Sequence, residues 1–101
     1  MRKRLSLGDF HSQLNSEFLI EQEPRKWIAA KLIEAKELQY EYSDAQEGMR
    51  TSFSLVFHTG IDVYLPQKMY AFKHDELGEI NIFLVPLLPD DTGNRYEAVF
   101  T

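Results

Sequence analysis

The sequence predicts a small, mainly β protein, an antiparallel β-barrel or sandwich with one short N-terminal α-helix. Two observations carry this prediction. Apolar and polar residues alternate in short runs along most of the chain, which is the period-two pattern of half-buried strands. Turn-forming residues separate these runs at intervals of roughly ten residues, which is typical of small barrels and sandwiches. With 101 residues, the chain has room for one domain, which we assign to residues 1–101.

The predicted helix covers residues 7–15. Ser6 is the expected N-cap, and Asp9 follows three residues later, where an acidic side chain can accept hydrogen bonds from first-turn amides. The apolar stripe that would face the core consists of Leu7, Phe10 and Leu14.

Residues 16–22 form the first predicted strand, because Phe18 and Ile20 alternate with polar neighbours before the turn at residues 23–25. The next segment, residues 26–42, is ambiguous. Its composition of Ala, Lys, Glu and Leu favours a helix, whereas its apolar residues also alternate as in a strand. We favour a long strand because the segments around it are β. The alternating set is Ile28, Ala30 and Leu32.

Four further strands are predicted in the C-terminal half, at residues 53–57, 68–74, 79–86 and 95–100. Gly78 supplies the positive φ of the tight turn that begins at Asp75. The run from Ile80 to Leu84 is apolar on both faces, which is typical of a central strand or of one covered at an interface. We therefore predict that Ile80, Ile82 and Leu84 meet a partner protein or a second copy of the chain.

Composition restricts the classes of function. The net charge of −5 argues against nucleic-acid binding, which needs a basic face. No apolar run approaches the roughly twenty residues of a membrane span, and no apolar stretch follows the basic N-terminus as in a signal peptide. The absence of cysteine excludes disulfides and thiolate metal sites. We therefore expect a cytoplasmic protein. We also expect no cofactor, since the five glycines form no phosphate-binding loop.

Two polar clusters invite a catalytic or metal-binding interpretation. His74, Asp75 and Glu76 are potential ligands, but three consecutive turn residues point apart, and His11 or His58 would complete a site only if folding brought them close. We predict a solvated turn and no metal.

Asp91-Thr92-Gly93 matches the catalytic triplet of aspartic proteases. In that family the triplet lies early in the chain, whereas only eight residues follow it here. Ser54 or Ser43 paired with His58 or His74 lacks the sequence context of a hydrolase nucleophile. We predict that the protein is not an enzyme.

The aromatic residues outside the regular alternation suggest a second possibility. Rings on an exposed sheet or at a barrel mouth can stack against sugars or other small ligands. The candidate ligand-binding residues are Trp27, Tyr40, Tyr42 and Tyr64.

Three segments of the C-terminal half, FSLVFHTG (53–60), LPQKMYAFKHDELGEINIFLVP (65–86) and DDTGNRYEAVF (90–100), carry a resemblance. They resemble an uncharacterised bacterial family known only as a domain of unknown function. The resemblance implies a small β-rich domain, strand rather than helix around residues 27–40, and an accessory role in an assembly such as a phage tail. It implies no catalytic residue. The chain departs from the family pattern at Thr59 and in the acidic loop SDAQEG.

These observations lead to two hypotheses about function. The first is a non-enzymatic structural or protein-interaction module of a bacterial assembly, with a protein partner or a second copy as its ligand. The alternative is a small-ligand or carbohydrate-binding module that uses an aromatic-lined barrel mouth or sheet face.

Overall fold

The computed structural model describes residues 5–38 and 52–100. It contains one helix and six strands: α1 (Leu7–His11), β1 (Glu17–Glu23), β2 (Lys26–Glu37), β3 (Phe53–Thr59), β4 (Lys68–His74), β5 (Gly78–Pro86) and β6 (Asn94–Phe100). The strands form a closed barrel in the order β1-β2-β3-β6-β5-β4, and every neighbouring pair is antiparallel. The predicted fold class is confirmed, with a barrel rather than a sandwich as its architecture.

Helix α1 begins at the predicted cap but is shorter than predicted. The Ser6 hydroxyl accepts from the Asp9 N–H, and the Asp9 carboxylate accepts from the Ser6 N–H at 2.9 Å. The helix ends at His11 because the chain then turns, with Asn15 at a φ of 70° and its N–H donating to the Leu32 carbonyl at 2.7 Å. In the described part of the chain, no helix combines the length and apolar character that crossing a bilayer requires.

The ambiguous segment is a strand over Lys26–Glu37, as predicted for those residues, while Tyr40 and Tyr42 lie outside the described residues. A tight turn at residues 24–25 joins β1 to β2, and β3 pairs with the other edge of β2. Ala30 and Leu32 are buried in the barrel. Pairing on both edges and burial of one face therefore outweigh a helix preference of at most about 1 kcal/mol per residue.

Aromatic rings fill the middle of the barrel. The Phe57 ring centroid lies 5.3 Å from that of Phe18 and 5.0 Å from that of Phe72, in edge-on and tilted arrangements. Such geometries match the positive edge of one ring to the negative face of the next. All three side chains are fully buried, as are inward-facing residues of the other strands. The interior is thus a packed core.

Both ends of the barrel are sealed. At one end the Phe10 ring of α1 packs against Phe53 and Phe100, with centroids 5.9 Å and 5.6 Å away. At the other end the loop at residues 60–67 inserts Leu65, which is fully buried and donates its N–H to the Tyr96 hydroxyl at 2.9 Å. Phe10 and Leu65, which we call the end plugs, shield the core from solvent at the two openings of the barrel.

The β4–β5 hairpin is joined to the rest of the barrel by short ladders. Within the hairpin, aligned pairs run from Lys68 and Leu84 to His74 and Gly78. By contrast, β4 aligns with β1 at two pairs and β5 aligns with β6 at two pairs, the latter ending at Val85 and Glu97. The barrel therefore closes at two seams that are held by fewer backbone hydrogen bonds than the other ladders.

Truncation of the central ring tests this account of the core. Phe57→Ala should lower the free energy of unfolding by about 3–5 kcal/mol, because it removes a buried ring and leaves a cavity. Leu88→Ala is the control, since Leu88 is 82% exposed, and it should change stability by no more than about 0.5 kcal/mol. Urea unfolding followed by tryptophan fluorescence measures both, and equal effects would contradict a ring-filled interior.

Candidate functional site

His74 ends β4 as a buried, fully hydrogen-bonded residue. Its Nε2 lies 2.9 Å from the Ser16 hydroxyl, which donates its own hydrogen to the Gln13 carbonyl at 2.6 Å. The Ser16 oxygen must therefore accept the hydrogen carried by Nε2. On the other side of the ring, Nδ1 accepts from the N–H groups of Glu76 and Leu77 at 3.0 and 3.2 Å. These partners fix the neutral tautomer with its hydrogen on Nε2.

The hydrogen bonds of His74 run in the opposite direction to those of a catalytic triad in a hydrolase. In a Ser-His-acid triad, Nε2 accepts the serine proton and Nδ1–H donates to a carboxylate. Here Nε2 donates to Ser16, and Nδ1 of His74 accepts from backbone amides. The pair links the β4–β5 turn to the segment that leads into β1, which is a structural task.

The potential metal ligands are spread over the molecule. Asp75 and Glu76 lie in the β4–β5 turn, which Gly78 completes at a φ of 80° as predicted. Glu76 accepts from the Gln13 side chain at 2.8 Å. His58 lies near the opposite end of the barrel from His74. Within residues 5–38 and 52–100, no three His, Cys, Asp or Glu side chains are grouped so that they could hold a metal ion.

The second polar cluster is built around Asp90 in the β5–β6 loop. Its Oδ1 accepts from the hydroxyl and the N–H of Thr92, both at 2.8 Å, and from the Gly93 N–H at 3.0 Å. His58 Nε2 lies 3.0 Å from the Thr92 hydroxyl and 3.6 Å from Asp90 Oδ1. The hydrogen bonds from Thr92, followed by those from Gly93 and His58, lower the pKa of Asp90 from 3.8 to about 2.

Close packing accounts for the glycine of the Asp-Thr-Gly triplet. A Cβ added to Gly93 would lie 2.0 Å from the Thr59 carbonyl oxygen and 2.9 Å from His58 Cε1. Any side chain would force the loop away from the end of β3. The first residue of the triplet, Asp91, is exposed at the tip of the turn. The triplet forms a tightly packed turn, as the sequence predicts.

Ser54 is the other serine candidate that lies among the described residues. Ser54 faces outward from β3 and is buried, and its hydroxyl has no hydrogen-bond partner in the part of the chain that the structure describes. Ser43 lies outside the described residues.

Two of the four predicted ligand-binding rings, Trp27 and Tyr64, lie among the described residues. Trp27 faces outward from β2, and the Lys73 ammonium lies 4.2 Å from its ring centroid, so a cation occupies one ring face. Tyr64 is exposed in the 60–67 loop. Burial first, and then the neighbouring phenols of Tyr96 and Tyr64, raise the pKa of Tyr70. Tyr40 and Tyr42 lie outside the described residues.

The predicted interface residues require a correction. Ile82 and Leu84 are buried inside the barrel, and Ile80 is half-buried on the same face. Because side chains alternate across a strand, the outward-facing residues of β5 include Asn81 and Phe83, of which Phe83 is 46% exposed. The face assigned to a partner is therefore the core face, and the outer face carries both polar and apolar residues.

Two of the open clefts lie at the end of the barrel that α1 covers. One has a volume of 550 Å³ and lies between α1 and the ends of β2 and β3. The other has a volume of 630 Å³ and adjoins the His74 turn, where Lys73 is its one cation among the described residues. Its carboxylates are those of Glu17, Asp75, Glu76 and Glu79. This second cleft would repel anionic ligands.

The sequence interpretation missed the partners of both histidines. Ser16 and His74 are 58 positions apart, and His58 and Thr92 are 34 positions apart, so no local spacing signals either contact. The one available signal was at Asp90, because an Asp followed by Thr and Gly two and three positions later is typical of a side-chain-capped turn.

The model of one protein family, described as Domain of unknown function (DUF6916), matches residues 5–100. The match spans nearly the whole chain and confirms the predicted resemblance to an uncharacterised family of small domains. A comparison with curated proteins finds no match, and a comparison with solved structures finds none either.

Acid titration tests the Asp90 cluster. The pKa of this carboxyl lies below its ordinary value of 3.8, so its contribution to stability is complete above that value and is lost as the pH falls through about 2. Asp90→Asn should therefore lower the melting temperature at neutral pH and flatten its fall between these values. Asp91→Asn, in the same turn, is the control and should keep the wild-type profile. Identical profiles for all three proteins would contradict the account.

The structural role of Ser16 predicts a loss of stability without a catalytic phenotype. Ser16→Ala leaves the Nε2–H of His74 without its acceptor and should cost about 1–2 kcal/mol in urea unfolding. Ser12→Ala, which removes an exposed hydroxyl, should cost no more than about 0.5 kcal/mol. A fluorophosphonate probe should leave the wild-type protein unlabelled. Labelling at Ser16 would show a nucleophile and overturn this interpretation.

Proposed function

We propose that this chain, which belongs to the family described as Domain of unknown function (DUF6916), is a non-enzymatic structural or protein-interaction module that binds on the outside of its barrel. One observation carries the proposal. Phe18, Phe57 and Phe72 fill the barrel, and Phe10 and Leu65 seal its ends, so the interior is committed to the protein's own side chains. A ligand that needs a barrel mouth has no opening between these plugs.

An apolar row on the outside of the barrel supports a protein partner. Met69 and Phe83 are directly paired across β4 and β5 and are 57% and 46% exposed. Continuing the register of Val85 and Glu97 places Val99, which is 53% exposed, opposite Phe83. We call Met69, Phe83 and Val99 the outer apolar row. Contiguous exposed apolar side chains on a small domain are typical of interaction surfaces.

The hydrogen bonding of the ionisable groups supports the non-enzymatic part. His74 donates to Ser16 and accepts from two backbone amides, and Asp90 accepts three hydrogen bonds from its own loop. A general base needs a free lone pair directed at a substrate. Both ring nitrogens of His74 and the Oδ1 atom of Asp90 are thus engaged by the protein itself.

The ligand-binding alternative has less support. A stacking site needs an open ring face, and Lys73 lies over the ring of Trp27.

The proposal also includes a place in a bacterial assembly such as a phage tail, which is supported by the sequence resemblance. It includes a cytoplasmic location, which is supported by the composition.

Affinity capture with matched variants tests the proposal. The wild-type protein should capture a reproducible partner from a lysate of its host, identified by mass spectrometry. Phe83→Glu places a charge in the outer apolar row and should reduce capture on the order of tenfold or more. Leu88→Glu is the control because Leu88 is even more exposed but lies outside the row.

Equal capture by the wild type and by Phe83→Glu would contradict the surface assignment. Turnover of a substrate by the purified protein would contradict the non-enzymatic role.

A further inference from the structure

We infer that the partner of this module is a protein segment that carries a lysine or arginine beside apolar side chains, and that Glu97 of β6 receives that cation next to the outer apolar row. This assignment rests on the proposed function and adds the chemistry of the partner to it. Two features carry it. Glu97 lies between apolar neighbours without a cation of its own among the described residues, and the outer apolar row adjoins it on the same face.

Glu97 lies on the outside of the barrel between two valines. It is paired with Val56 of β3 on one side and with Val85 of β5 on the other. Its chain neighbours Tyr96 and Ala98 are buried in the core, so its own side chain faces outward. Val56 is 7% exposed, and both Glu97 and Val85 are half-buried. The Glu97 side chain is therefore partly withdrawn from water next to apolar neighbours.

Cations on the same face of the barrel have other partners. The Lys36 ammonium lies 3.7 Å from the Glu34 carboxylate. Arg95, two positions before Glu97 in β6, donates from its guanidinium to the Leu88 carbonyl at 3.0 Å. In the part of the chain that the structure describes, no lysine, arginine or histidine forms an ion pair with Glu97. This side chain therefore offers an unpaired negative charge to a partner.

The outer apolar row adjoins Glu97. Val99 follows Glu97 by two positions in β6, so the two side chains point the same way and their Cα atoms lie about 7 Å apart. Phe83 lies opposite Val99, and Met69 is paired with Phe83 in turn. A segment that places a cation on Glu97 can thus lay a neighbouring apolar residue on Val99 and Phe83.

This combination of charge and apolar surface selects the occupant. A purely apolar partner that covered the row would enclose the Glu97 carboxylate without a counter-charge, and burial of an unpaired charge is costly. An anionic partner, or a second copy with the same net charge of −5, would meet electrostatic repulsion. A cation flanked by apolar residues avoids both costs, because it neutralises the carboxylate while its neighbours exclude water and strengthen the ion pair.

Titration of two synthetic peptides into isotope-labelled protein, followed by amide chemical shifts, tests the assignment. The probe is the capped peptide Lys-Thr-Phe-Thr-Phe-Thr-Lys, whose lysines and phenylalanines share one face when it is extended. Its matched control has glutamate in place of both lysines. The lysine peptide should bind at least about tenfold more tightly, because like charges oppose the control, and it should shift the amides of Phe83, Glu97 and Val99. Equal binding of the two peptides, or shifts confined to other residues, would overturn the assignment.

Two variants that each remove one carboxylate separate Glu97 from the net charge. Glu97→Gln should weaken binding of the lysine peptide about two- to fivefold, the size of one partly exposed ion pair. Asp91→Asn is the matched control, because it removes the same charge at the exposed tip of the β5–β6 loop, and it should leave the affinity unchanged. Binding to the wild type should also weaken as ionic strength rises. Equal affinities of both variants, or binding that strengthens with salt, would contradict a cation on Glu97.

These outcomes separate the partner's chemistry from the proposed function. A partner that is captured through Phe83, but binds wild type and Glu97→Gln equally at every ionic strength, would overturn the cationic segment and leave the interaction module standing. The absence of any capture that depends on Phe83, together with no amide shifts from either peptide, would overturn both.

Discussion

Closing six short strands into one barrel imposes the constraint on which the rest of this structure depends, because the enclosed space must be filled by side chains. Voids would forfeit the dispersion contacts that a close-packed interior provides. The rings of Phe18, Phe57 and Phe72 meet this requirement in the middle. Phe10 and Leu65 meet it at the two ends, which sets the positions of helix α1 and of the 60–67 loop. Because the protein's own side chains fill the interior, the outer surface is what remains for binding.

Much of this fold was predictable because it rests on local patterns. The strands follow the period-two alternation, and Gly78 lies at the positive φ that its turn requires. The segment that became β2 shows the limit of local information, since its composition favours a helix and its alternation favours a strand. The end of α1 was beyond prediction, because it depends on a hydrogen bond between Asn15 and Leu32 that only the folded barrel creates.

The candidate sites were predictable only as turns, and the reason is again the range of the interactions. The two histidines form hydrogen bonds with residues that are far away in sequence. His74 contacts Ser16, and His58 contacts Thr92. The orientation of β5 was ambiguous for a different reason. Both of its faces carry apolar residues between positions 80 and 85, so alternation distinguishes two faces without saying which one is inside.

The most direct test of the central claim, that the protein's own rings fill the barrel, is a nuclear Overhauser spectrum of protein labelled on its phenylalanine rings. The account predicts strong cross-peaks from the Phe57 ring to those of Phe18 and Phe72, and from the Phe10 ring to that of Phe100. Missing cross-peaks within the first group, together with contacts from those rings to water or to an added apolar probe, would show a hollow barrel. That result would contradict the claim and return the interior to the list of binding sites.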